Sequence, residues 1–140
     1  MFRLMLLIFV SFWLGQGGLT LAESIENISN EDIRWEGTFV GLAPTVLNEK
    51  AEGLMKTGEK GISALLNALS DPEKFVTAHV LLTQMTGVEY ETTPTWNGLS
   101  VDMEADDSVN IPPDQRFVLE NRWRKWYQTS PRPQQLPDAD

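Results

Sequence analysis

The side chains able to do chemistry are few and scattered. His79 is the only histidine, and a lone imidazole can act as a general base near neutral pH. It lies between Ala78 and Val80 on an apolar stretch. That setting predicts a partly buried core residue hydrogen-bonded to a neighbour. With one histidine and no cysteine, one chain cannot build a multi-histidine or thiolate zinc site, nor use a thiol nucleophile. The run Asp102-Met103-Glu104-Ala105-Asp106-Asp107 begins like a calcium loop, with acids at its first, third and fifth positions. Its sixth position is Asp107 where the sharp turn needs glycine. Its twelfth is Pro113 where a bidentate glutamate belongs. The run therefore reads as a solvated hairpin turn, with weak calcium binding as the alternative. Glu89 and Glu91 flank Tyr90, and on an extended segment they share one face. Paired carboxylates can hydrolyse glycosides, but nothing else in the chain suggests a sugar cleft. There is no Gly-x-Ser-x-Gly elbow and no phosphate loop. The expectation is a chain with no catalytic, cofactor-binding or metal-ligating residues.

The remaining candidates are aromatic. Trp123 and Trp126 stand at i, i+3, beside Tyr127. They are expected to clamp a helical pair against the segment carrying Trp96, because a small core without disulfides needs large side chains. If any is exposed instead, Trp96, Trp123, Trp126 and Tyr127 are the candidate partner-binding residues, by interface anchoring or by stacking on sugar. Arg116, Arg122, Arg124, Lys125 and Arg132 make a basic end on an acidic chain. They are expected to pair with its own acids.

The first residues set the context. Met1-Phe2-Arg3 carries one positive charge, Leu4 to Leu14 is apolar apart from Ser11, and Thr20-Leu21-Ala22 is a small-residue exit. This is the layout of a signal peptide, residues 1–22, cleaved near Ala22. It implies a periplasmic or secreted protein. A retained membrane anchor is the alternative, since residues 4–22 carry no charge, but the purely apolar part is too short to span a bilayer alone. Cleavage removes one basic residue, Arg3, and leaves ten basic against twenty acidic residues, a net −10. Such a charge argues against nucleic-acid binding. It leaves a membrane as partner only if the anchor is kept.

Beyond the leader, residues 23–34 are polar and acidic and predict a flexible lead-in. Trp35 and Thr38-Phe39-Val40 are the first residues expected to pack. Pro44 suits a helix's first turn, and Leu47, Ala51, Leu54 and Met55 make one apolar stripe ending at Gly58. Ile62, Leu65, Leu66 and Leu69 make a second stripe. Asp71 and Pro72 are suited to cap and start a third helix, with Phe75, Ala78, Leu82 and Met85 on one face and Gly87 at its end. After Gly87 the pattern becomes extended. Trp96 to Met103 and Ser108 to Ile111 bracket the acidic run as a β-hairpin with Leu99, Val101 and Met103 on a buried face. Pro112-Pro113-Asp114 opens a last helix to about Gln128, with Leu119 and Trp123 inward. Residues 129–140, with three prolines, predict a disordered tail.

The segment Gly61 to Pro72, with the apolar helix after it, resembles one unit of a HEAT-like repeat, in which two antiparallel helices meet at a turn often holding Asp-Pro. Leu81 to Gly87, followed later by Trp123-Arg124-Lys125-Trp126-Tyr127, resembles the ending of some small exported bacterial HEAT-like proteins. The resemblance covers residues 59–87 and the Trp motif. It implies protein–protein scaffolding and brings no catalytic residues. A solenoid needs about three stacked units, and one clear pair is present. The missing packing must come from the hairpin and the Trp helix, or from a partner. The expected fold is therefore α+β, mainly α: a single domain over residues 35–128, with a HEAT-like antiparallel helical cluster, a β-hairpin and a closing Trp-rich helix. The expected role is a non-enzymatic, exported protein-binding or scaffolding domain. A carbohydrate- or small-ligand-binding module using exposed tryptophan is the alternative, followed by a small hydrolase using Glu89, Glu91 or Asp102.

Overall fold

The computed structural model describes residues 20–90 and 95–130. Leader residues 1–19, Glu91 and Pro94, Arg132 and the tail from 131 onward lie outside them. The described residues form an α+β structure that is mainly helical: α1 (Leu21–Glu26), β1 (Ile33–Thr38), β2 (Gly41–Val46), α2 (Glu49–Leu54), α3 (Glu59–Ala68), α4 (Phe75–Thr86), β3 (Asp102–Met103), β4 (Val109–Asn110) and α5 (Arg116–Thr129). Short 3-10 turns precede β1 (Asn30–Asp32) and α5 (Pro113–Gln115). Both sheets are antiparallel pairs. Among the described residues no helix is long and apolar enough to cross a membrane.

The core has two lobes that share α4. One gathers Ile28, Ala51, Leu54, Leu65, Leu66, Leu69, Ala78, Leu81, Leu82 and Trp123. The other joins Ile33 and Trp35 of β1 to Phe75, Val76, Val80, Leu99 and Leu119. Phe75 through Leu82 are all buried, so α4 is the central element, covered on every side rather than along one stripe. Gly87, at φ 69°, ends it in the left-handed conformation, as the sequence suggested. Gly61 lets α3 cross the end of α2: a Cβ there would overlap Thr57 Oγ1 and the Leu54 carbonyl.

Several expectations need correction. The stretch 23–34 is not a loose lead-in. Ile28 is buried, and Lys74 Nζ donates to the last carbonyls of α1, Ile25 O at 2.9 Å and Glu26 O at 3.2 Å, where a helix favours a cation. The cap of α4 is also remote. Asp71 accepts from Glu73 N at 2.9 Å within the preceding turn, while Asn30 Oδ1 accepts from Val76 N at 3.0 Å. The order of 23–34 comes from the buried Ile28 and Ile33, from the local cap of α1, and from these long-range polar contacts, to which no local pattern points.

Pro44 sits in β2, opposite Trp35, not in a helical first turn. β-Branched Thr45 and Val46 favour strand, and helix begins only after Asn48, whose Oδ1 accepts from Lys50 N at 2.8 Å. Leu47 is left exposed. Trp35 packs as expected, but Phe39 and Val40 occupy the tip of the β1–β2 hairpin and are fully exposed.

The expected β3–β4 hairpin exists, but each strand has two residues, and both are exposed. Only Leu99 of its supposed inner face is buried; Met103 is exposed. Pro112 and Pro113 have no N–H to lengthen the ladder. The Gln115 amide serves Ser100 instead, accepting from its N–H at 2.8 Å and donating to its carbonyl at 2.9 Å.

Candidate functional site

Two places bring candidate residues together: a buried aromatic centre around His79, and a groove beside β1.

His79 is completely buried at the middle of α4. Trp123 Nε1 on α5 donates to its Nδ1 at 2.8 Å. An indole N–H can only donate, so Nδ1 carries no proton and the neutral ring keeps its hydrogen on Nε2. That Nε2 is buried without a hydrogen-bond partner. Burial pulls the His79 pKa from 6.5 to about 4; the nearby backbone of Trp96 and Asn97 favours the proton but does not offset burial, and Arg122 adds to the lowering. His79 is thus neutral at ordinary pH and closed to any substrate. The expected core reading holds in its geometry.

Rings extend from it in edge-to-face contact. Trp96 meets His79 at 5.6 Å and Trp35 at 5.7 Å between centroids. Trp123 meets Tyr90 at 5.2 Å and Trp126 at 5.5 Å. This is the preferred geometry of aromatic pairs. Trp35 and Trp123 are buried, and Trp96, Trp126 and Tyr127 are half-buried. The aromatic residues singled out from sequence do come together, as a continuous internal ladder rather than an open stacking platform.

Asn97 holds the extended segment against this centre, and sequence reasoning did not find it. Trp96 and Leu99 exchange backbone hydrogen bonds around Asn97-Gly98, both at positive φ, 47° and 88°. This is the turn that an Asn-Gly pair most readily makes. The buried Asn97 Nδ2 donates to Thr83 Oγ1 at 2.8 Å and to the Val88 carbonyl at 2.9 Å, and Oδ1 accepts from Tyr90 N. The dipeptide itself was the available signal.

The acids do not converge. Glu89 is exposed, and its companion Glu91 lies outside the described residues. Among the described residues no three His, Asp or Glu side chains group as metal ligands would. Asp102 to Asp107 are all exposed. Asp106 bends back to accept from Ser108, which holds its carboxyl below the usual range, and Asp107 takes the left-handed conformation at φ 65°. The run is a self-bonded turn. Among the basic residues, Arg124 pairs with Glu120 at 3.1 Å. Arg116 donates to the Ser70 carbonyl and lies over the Phe117 ring, and Arg122 lies 5.8 Å over Tyr90.

The second place is a groove of about 400 Å³ lined by Arg34, Trp35, Glu36 and Gly37 of β1 and by Met103 and Asp107 of the facing hairpin. Asp32 O accepts from Leu47 N, which makes 32–47 a hydrogen-bonded pair of the antiparallel ladder. By alternation Arg34, Glu36 and Thr38 also bond to β2, while Trp35 and Gly37 turn their N–H and C=O away from it, toward the outer edge. No backbone hydrogen bond reaches that edge among the described residues. The outer edge of β2 differs: there the outward position opposite Trp35 is Pro44, which has no N–H to offer.

No protein-family model, curated protein or solved structure matches this chain.

Proposed function

We propose that this chain is an exported, non-enzymatic domain that binds another protein. The observation that carries the reading is the inversion of its apolar surface. The tryptophans of the described residues are buried or half-buried, while Phe39, Val40, Met103 and Val109 are exposed on the two hairpins, and Leu47, Phe117 and Val118 are exposed elsewhere. Exposed apolar side chains gathered on small hairpins suit a contact surface better than a catalytic cleft. On this reading α3 and α4 are a single HEAT-like pair. The Trp-rich α5 and the turn at Asn97 supply the cover that further repeats give a solenoid. Export rests on the leader. A cut after Ala22 would remove Thr20, which accepts from Glu23 N at 3.2 Å in the capping box of α1. A cut before Thr20, where Gly15 and Gly17 are small residues at suitable spacing, leaves that helix whole.

A photo-crosslinking residue at position 39 or 103 of the exported chain is expected to trap a defined partner, while one at exposed Asn67 on α3 does not. Equal trapping at all three positions, or at none, would overturn the reading.

A further inference from the structure

A protein leaves a strand edge open at a cost. Unpaired N–H and C=O groups invite unwanted pairing, so edges are commonly blunted by proline, charge or cover. This sheet treats its two edges differently. Pro44 blunts β2, whereas β1 presents the outward amides of Trp35 and Gly37 to a groove. Gly37 is exposed and carries no side chain, and a Cβ there would meet nothing within 4 Å on that face of the sheet. The facing wall adds Met103 as an apolar contact and Asp107 as a charge.

The segment that carries the facing hairpin is acidic. Between Leu99 and Gln115 the chain carries five acids (Asp102, Glu104, Asp106, Asp107 and Asp114) and no lysine or arginine. Arg34, the one cation on the β1 wall, is already paired with Glu36 at 3.0 Å. A second copy of the chain is a poor occupant: pairing two β1 edges would bring two such acidic hairpins face to face.

We propose that the outer edge of β1 takes an extended basic segment of a partner protein as a third strand. Main-chain hydrogen bonds to Trp35 and Gly37 hold it, and the acidic β3–β4 hairpin selects its charge. This is strand addition, in which the backbone supplies affinity and side chains supply choice. It rests on the protein-binding reading and names the kind of partner.

The test is titration of the leaderless chain with three short capped peptides: lysine alternating with valine, glutamate alternating with valine, and the lysine peptide N-methylated at alternate amides. The lysine peptide is expected to bind, and to bind roughly tenfold or more tightly than either of the others. Gly37→Pro should weaken it similarly. Asp107→Asn with Glu104→Gln should weaken it in low salt and matter less in high salt. Equal binding of the plain and N-methylated peptides, or no binding of any peptide, overturns strand addition. So does concentration-dependent dimerisation that Gly37→Pro abolishes, which would make the occupant a second copy. If Gly37→Pro retains a partner trapped through position 39 while the peptides fail, strand addition falls and the protein-binding reading stands.

Discussion

The His79 centre and the β1 groove contain similar residue types, and the chain uses them in opposite ways. Around His79 the large rings are packed, and Trp123 is paired with His79 and Asn97 with three partners, while His79 Nε2 and the Tyr90 hydroxyl stay unpaired among the described residues. Beside β1 no backbone hydrogen bond among the described residues reaches the outer edge, and Phe39, Val40 and Met103 are exposed. Among the described residues, the tryptophans are buried or half-buried parts of the packing. Phe39, Val40, Met103 and Val109 on the two hairpins stay exposed, and the proposed reading leaves them for a partner.

The largest effect that could break this contrast is at the closed centre. Trp123→Ala removes a fully buried ring and the donor to His79, and is expected to cost about 3–5 kcal/mol in a urea melt. A near-zero change would make Trp123 a surface residue. Acid comes next. The folded state keeps His79 neutral down to about pH 4, while the unfolded chain takes up its proton near 6.5. The unfolded state therefore binds more protons between these values. His79's contribution is fully present above about pH 6.5 and is lost as pH falls toward 4. The loss amounts to about 3 kcal/mol, because burial denies the charged imidazolium its water. Carboxylates titrate in both proteins, so the difference in slope between wild type and His79→Leu isolates this contribution; parallel curves would contradict it. Asn97→Ala should cost about 2 kcal/mol by leaving buried groups unpaired, measured by the same melts. The smallest effect should be at the open region. Phe39→Ser is expected to change stability by less than about 0.5 kcal/mol while abolishing partner crosslinking from position 103. A large loss of stability would mean that the tip packs after all.

How much of this was legible depended on whether the cause was local. The α3–α4 pair, the stop at Gly87, the inward Leu119 and Trp123 and the core placement of His79 follow from helical spacing, and the structure has them. The β1 strand was also written in the chain: Ile33 and Trp35 alternate with Arg34 and Glu36, and only the first pair is buried. The polar composition of 23–34 masked that alternation. The remote capping of α4 by Asn30 could not be read, because its two partners are 46 residues apart. Nor could the open edge, since the outward turn of Trp35 and Gly37 depends on register with β2, and the groove depends on where the β3–β4 hairpin comes to rest.

The most direct test of the contrast is residue-resolved amide hydrogen exchange on the leaderless chain, with and without the lysine–valine peptide. In the chain alone, amides of α4 should exchange slowly and that of Gly37 rapidly. Added peptide should protect Gly37 and Trp35 and leave α4 and α5 unchanged. Protection appearing at Trp96, Trp123 or Trp126 while Gly37 stays fast would contradict the account and return recognition to the aromatic residues.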